Sequence, residues 1–325
     1  MSWLYSGKTA KSLADIQVLI KDVILADDFE REDLREFNIV TQLEDLDSYN
    51  PISETLIAED GWREGAVHIG VPKEGRKYPC VEDALTFEIK GLHYRPLIHV
   101  VKSAFEDPSA KTFHFHPFKS FWIPPSRNDS KHPERLLSEI YNSDTMIEEH
   151  KKINTQPREP GDPPSLEYVI AAIIAYSDAT RLANFGGASL WPGYAFFGNQ
   201  TKYERGKPSC FSAHHFAYLP SLPDHFQDWY KTIFGKPATA DVLRYCKVAL
   251  MQSIWLFLLD DEFMHAYEHG IVILCGDGIE RRVFPRFLVY SADYPEKCLV
   301  ACIRQLASCP CMRCYCQKGK INSMG

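Results

Sequence analysis

Asp178 and Asp293 each stand just past an apolar run, in the strings Ala-Tyr-Ser-Asp178-Ala-Thr and Tyr-Ser-Ala-Asp293-Tyr-Pro-Glu. A carboxylate at the exit of a buried strand is held rigidly, and two that converge can share divalent ions. Hard Mg2+ or Mn2+ prefers carboxylate oxygens, and a metal pair can clamp the attacking and leaving oxygens of an in-line phosphodiester displacement. A plainer role is open to both residues, because aspartate is also a good helix N-cap and turn former. Asp293 precedes Tyr-Pro-Glu, and proline is tolerated in a first helical turn.

Sixteen residues beyond Asp293 begins CPCMRCYC, which places Cys309, Cys311, Cys314 and Cys316 within eight residues. Two residues between Cys311 and Cys314 let both thiolates reach one zinc ion from a tight turn. A tetrahedral site needs four ligands, and such a pair usually draws the others from another segment. Six of the ten cysteines lie in the last 28 residues. In a reducing compartment that clustering favours metal over disulfides, the alternative being loose thiols in a tail. The histidine pairs His114/His116, His214/His215 and His265/His269 have strand or helix spacing that could seat a metal, but packing or surface hydrogen bonding explains them as well. Asp277, in Gly-Asp-Gly, competes with Asp293 as the second carboxylate, although a tight turn explains it well. Arg281 and Arg282 suit either a DNA phosphate or a solvated hairpin.

The elements that must position these residues follow from hydrophobic patterning. YVIAAIIAY at 168–176 is a continuous apolar run of strand length, suited to a central strand covered on both faces, and Asp178 closes it. Residues 191–197 and 214–219 are further strands. The stretch 241–269 reads as one long helix, and 271–275 and 283–290 are strands joined across Gly276-Asp277-Gly278. Upstream, 12–34 reads as an amphipathic helix and 51–79 as a loop or linker. Short strands around one helix are expected over 84–122, and a helix over 134–152. The four prolines of NTQPREPGDPP at 154–164 mark a linker.

At 325 residues and 45% hydrophobic, the chain can bury a substantial core. Its net charge of -7 is the wrong sign for a uniformly basic nucleic-acid binder. Residues 1–60 carry 14 acids against 5 bases, however, so the remainder is close to neutral, and 280–325 holds 8 bases against 3 acids. A phosphate partner is therefore plausible at that end. The N-terminus lacks a signal-peptide pattern and no apolar run is long enough to span a bilayer, so an intracellular location without a membrane segment is expected.

The strings SDATRLANFGGASLWPGYAFFGNQTKYERGKPSCFSAHHFAYLPSLPD and DGIERRVFPRFLVYSADYPEKCLVACIRQLASCPCMRC closely resemble the Plavaka transposases of fungal genomes. These look like distant relatives of the CACTA and Kyakuja-Dileera-Zisupton groups. The resemblance implies an α/β fold with an RNase H-like core, a mixed sheet with flanking helices, preceded by an α+β region. Its expected divisions are an acidic helical leader at 1–60, the α+β region with its Pro-rich linker at 61–160, the core at 161–308 and a Cys-rich zinc knuckle at 309–325. It implies Asp178 and Asp293 as the first two acids of an Asp-Asp-Glu set holding Mg2+ or Mn2+, with Zn2+ at the cysteines. DNA at transposon ends, self-association and a nuclear location follow as further expectations. No residue matches the third acid, expected well beyond the cysteine cluster, so weak or absent strand cleavage is anticipated. A DNA- or protein-binding module that keeps the fold is the alternative.

Overall fold

The computed structural model describes residues 17, 19–25, 30, 32, 61–73, 84–123, 132–181 and 189–323. Met1–Thr55 and Leu56–Gly325 form two compact units. In the first, Leu19–Ile24 makes a short π-helical segment; most of the helix expected over 12–34 lies outside the described residues. In the second, chain order runs β1 (Arg63–Val71), β2 (Leu85–Tyr94), α1 (Leu97–Glu106), β3 (Ser120–Trp122), β4 (Glu134–Leu136), α2 (Asp144–Thr155), β5 (Glu167–Ser177), β6 (Thr180–Arg181), β7 (Ser189–Leu190), β8 (Pro192–Phe197), α3 (Lys202–Arg205) and β9 (His214–Tyr218). It continues through α4 (Phe226–Phe234), α5 (Ala240–Leu258), α6 (Asp261–His269), β10 (Ile271–Leu274), β11 (Glu280–Ser291) and α7 (Tyr294–Val300).

β5 is the strand on which the rest is organised. Its odd positions Val169, Ala171 and Ile173 join the main core, while Tyr168, Ile170 and Ala172 pack on the other face with Tyr141, Met146, Ile153 and Phe284. Burial on both faces is why the sequence shows an unbroken apolar run there and not an alternation. A seven-stranded sheet forms in the order β1-β2-β9-β8-β5-β11-β10. β5 and β11 are parallel, and the other neighbours in this sheet pair antiparallel. β10 pairs only with Glu280–Val283 of β11. Pro285 therefore sits where β11 has lost its second neighbour and needs no N–H for a further ladder.

Four expectations change. The stretch 51–79 contains β1, whose inward Val67, Ile69 and Val71 alternate with His68 and Gly70; the glycines hide the strand signal. Of the helix expected over 134–152, only the part from Asp144 forms. Ahead of it, β4 pairs with β3, and Asn142 accepts the Ser138 and Glu139 amides at 3.3 and 3.1 Å, turning the chain before Ser143 caps α2. The long helix over 241–269 is two, α5 and α6, bent by 64°. Asp260 accepts the Phe263 amide at 2.8 Å and so starts a new helix without proline or glycine. No boundary falls at 160, because β1 and β2 extend the same sheet as β5, β8, β9 and β11. Among the described residues no single helix is long and apolar enough to cross a membrane.

The Pro-rich stretch 154–164 is pinned to the sheet. Arg158 donates to the carbonyls of Pro163 and Leu166 at 3.0 and 2.6 Å, and His269 meets Glu159 at 3.0 Å. Arg282 donates to both oxygens of Asp162, at 2.5 and 2.6 Å, and Tyr168 donates to the same carboxylate at 2.6 Å. The Arg282 guanidinium holds the Asp162 carboxyl well below its usual range, at about 2. A folded pKa below the unfolded one contributes stability above the unfolded value, which is lost as pH falls toward the folded value. With the carboxylate only 7% exposed, the contribution is about 2 kcal/mol near neutral pH. Urea unfolding should show stability declining between about pH 4 and pH 2, with Asp162→Asn destabilised at pH 7 and flatter over the acid range. Equal acid sensitivity in wild type and Asp162→Asn would remove this assignment.

Candidate functional site

β5 and β11 run side by side and in register, Ala175 opposite Tyr290 and Tyr176 opposite Ser291. Two residues beyond the last pair, the chains carry Asp178 and Asp293, so both aspartates occupy equivalent positions at neighbouring strand ends. At the last pair, Tyr176 and Ser291, the strands have the ordinary spacing of about 4.8 Å. Asp178 is partly buried and accepts a hydrogen bond from the Tyr176 hydroxyl at 3.4 Å through Oδ2. Asp293 is exposed, and its Oδ1 accepts the Glu296 amide at 2.8 Å, capping α7 with Pro295 in the first turn. The N-cap role weighed from the sequence is thus realised. Oδ1 of Asp178 and Oδ2 of Asp293 have no hydrogen-bond partner among the described residues.

Glu296, which the sequence reading passed over, lies between these strand ends. It is 4% exposed, and three neutral donors converge on it. Oε1 accepts from Tyr290 at 2.7 Å and from Ser177, while Oε2 accepts from the Trp191 indole at 2.9 Å. The Ser177 and Tyr290 hydroxyl oxygens also lie 2.6 Å apart, so either hydroxyl can turn from the carboxylate to the other. Ser177 immediately precedes Asp178, and Glu296 stands one helical turn into the helix that Asp293 caps. One buried carboxylate therefore ties the two aspartate-bearing ends together, and adds Trp191 at the entrance to β8. Burial, reinforced by the Glu296 charge, pushes the Tyr290 hydroxyl above its ordinary range, so it stays a donor. The available signal was Asp293-x-x-Glu296, the spacing of a helix start, but in this fold the glutamate turns inward and not back to its cap.

Other candidates fall elsewhere. Asp277 sits at the opposite end of β11 and pairs with Arg281, both oxygens at 2.8 Å. Arg281 is buried, also bonds Glu167 at 2.7 Å and lies over the Phe115 ring at 3.9 Å. With Arg282 on Asp162, neither arginine is available to a phosphate. His114 stacks on Tyr141 at 4.0 Å between ring centres, and His116 Nε2 lies 3.6 Å from the Glu167 carboxylate. The His265 and His269 rings lie 4.8 Å apart, centre to centre, on α6, and no third ligand joins them among the described residues.

Among the four clustered cysteines, Cys311 and Cys314 interact directly. The Arg313 amide donates to Cys311 Sγ at 3.3 Å and, with the Cys314 thiol, lowers the Cys311 pKa. Cys309 and Cys316 instead donate to the carbonyls of Tyr315 and Gln317, each at 3.5 Å. Tyr294 on α7 anchors this tail, donating to the Pro310 carbonyl and accepting the Leu306 amide, each at 3.2 Å. Among the described residues, no group of three or more His, Cys, Asp or Glu is arranged to hold a metal ion.

Taken together, the chain is a mixed α/β protein whose central parallel strands end in paired aspartates braced by a buried glutamate. Residues 66–324 match the family model of the Plavaka transposase, and the chain belongs to that family. Neither a curated protein nor a solved structure matches it.

Proposed function

We propose that the chain is the catalytic region of a transposon-derived, DDE-type DNA transposase, built on an RNase H-like core. Asp178 and Asp293 are its first two acids. The observation that carries this reading is the parallel, in-register pairing of β5 and β11 with an aspartate two residues beyond each end. The order β9-β8-β5-β11, with α5 and α6 preceding the parallel strand, supports the core assignment. Family membership suggests Mg2+ or Mn2+, and the donor set fits: hard carboxylate oxygens, one on each aspartate without a hydrogen-bond partner among the described residues. A bound divalent ion would activate water and offset charge at the scissile phosphate. This chain's own residues hold the strand ends fixed through Glu296 and keep the aspartates at one level. DNA at transposon ends and further copies of the chain are the partners on this reading, and the nucleus its place of action.

The test is Mn2+ binding by calorimetry, paired with nicking of transposon-end DNA. Saturable Mn2+ binding that disappears in Asp178→Asn is expected, with slow or no nicking by this chain alone. Mn2+ binding insensitive to both aspartates would overturn the assignment. A second reading is a non-enzymatic module that retains the fold: among the described residues no group of three His, Cys, Asp or Glu is arranged to hold a metal, and the nearby Glu296 carboxylate is engaged by its own donors. On that reading DNA retention would be the same with and without metal, and in Asp→Asn at both positions.

We further propose Cys311 and Cys314 as one half of a zinc site, Cys309 and Cys316 turning from their carbonyl partners to complete it. The protein should then purify with about one equivalent of zinc, released by Cys311→Ser with Cys314→Ser and by acidification, since thiolates must be deprotonated to bind. Little zinc by elemental analysis, with rapid thiol labelling in native buffer, would exclude it.

A further inference from the structure

On the sheet face that carries Tyr176, α2 packs over the lower part, where Tyr141, Met146 and Ile153 meet Ile170 and Ala172. Toward the aspartate end, aromatic rings line the strands. Tyr176 pairs with Tyr194, and Tyr194 with His215, across β5, β8 and β9. Ring centroids step from Tyr176 to Tyr194 at 6.0 Å, to His215 at 4.3 Å, to Tyr218 at 5.9 Å and to Trp62 at 5.2 Å. Tyr176 is 37% exposed and the other four are partly exposed. The stripe begins at the residue whose hydroxyl bonds Asp178.

Two cations border the far end. Arg63 follows Trp62 and is exposed. Arg95 lies close to His215, whose pKa is lowered by burial and then by the Arg95 charge, and its Nε is buried without a partner. Neither side chain has an acid or carbonyl partner among the described residues, in contrast to Arg281, Arg282 and Arg286, which are consumed within the fold. Guanidinium groups with no acid or carbonyl partner among the described residues, beside partly exposed aromatic rings, match the two needs of unpaired nucleic acid, backbone charge and a surface for base stacking. A duplex keeps its base faces covered and cannot use the rings.

We propose that this stripe is a stacking platform for single-stranded DNA, leading away from Asp178 across the sheet. The proposal rests on the transposase reading for its choice of DNA, and the platform would hold the unpaired strand next to the phosphodiester at the aspartates. The test is fluorescence anisotropy with labelled oligothymidine against a duplex of equal length, in EDTA. Oligothymidine should bind more tightly, with tryptophan fluorescence quenched in wild type and the quench reduced in Trp62→Phe. Tyr194→Leu and Trp62→Leu should each weaken binding about tenfold, while Tyr194→Phe and Trp62→Phe retain it. Arg63→Gln, at an exposed position that folding tolerates, should weaken binding and flatten its salt dependence. Asp178→Asn must still bind oligothymidine, and the stripe variants must still bind Mn2+, which separates failure of this proposal from failure of the metal assignment. Preference for the duplex, or unchanged affinity in Arg63→Gln and in folded Leu variants, would overturn it.

Discussion

Glu296→Ala is expected to lower the unfolding free energy by about 3 kcal/mol or more, because it removes the shared acceptor of three donors and leaves a cavity. The loss is unequal among them. Ser177 and Tyr290, 2.6 Å apart, can bond each other once the carboxylate is gone, whereas the Trp191 indole N–H is left with no acceptor. Glu296→Gln retains volume and one acceptor oxygen, but its amide group cannot accept from Trp191 while its oxygen serves Ser177 and Tyr290. An intermediate cost, about 1–2 kcal/mol, is expected. Urea unfolding with an unchanged m-value measures both. A loss below about 1 kcal/mol for the alanine variant would mean that the carboxylate does not hold the strand ends. Where the brace does act, Glu296→Gln should also bind Mn2+ more weakly than wild type, although Asp178 and Asp293 are both intact.

Much of the frame around that brace can be read from local pattern. β5 announces itself as an apolar run, and β8, β9, β10 and β11 fall where short apolar segments and the Gly276-Asp277-Gly278 turn place them. β1 does not, because Gly65 and Gly70 dilute its alternation. The reason for Gly65 is tertiary, since a Cβ there would come within 2.7 Å of the Phe257 ring on α5. The break between α5 and α6 was equally hidden, with only an aspartate to mark it. The largest misreading concerned charge. Arg281 and Arg282 look like a basic hairpin in sequence, yet their partners Glu167 and Asp162 lie 114 and 120 residues away. Glu296 escaped for the same reason: its donors Ser177 and Trp191 are 119 and 105 residues distant, and only the parallel pairing of β5 with β11 brings them near. Local spacing reveals elements and caps; it cannot reveal which side chains a crossover will join.

The two roles of Asp293 can be separated because asparagine and alanine fail differently. As N-cap, its Oδ1 accepts the Glu296 amide, and asparagine caps a helix about as well as aspartate. As metal ligand it contributes a negative charge and a hard anionic oxygen, which asparagine lacks. Asp293→Asn should therefore unfold within about 0.5 kcal/mol of wild type, whereas Asp293→Ala should lose about 1 kcal/mol. Both should lose Mn2+ affinity by tenfold or more, as should Asp178→Asn, whose side chain caps no helix. Since α7 also carries Glu296, cap loss in the alanine variant should loosen the brace, making Asp293→Ala worse than Asp293→Asn in both measurements. Wild-type Mn2+ affinity in Asp293→Asn, together with lost stability in Asp293→Ala, would leave Asp293 as a cap alone and move the search for the second metal ligand to another carboxylate near Asp178.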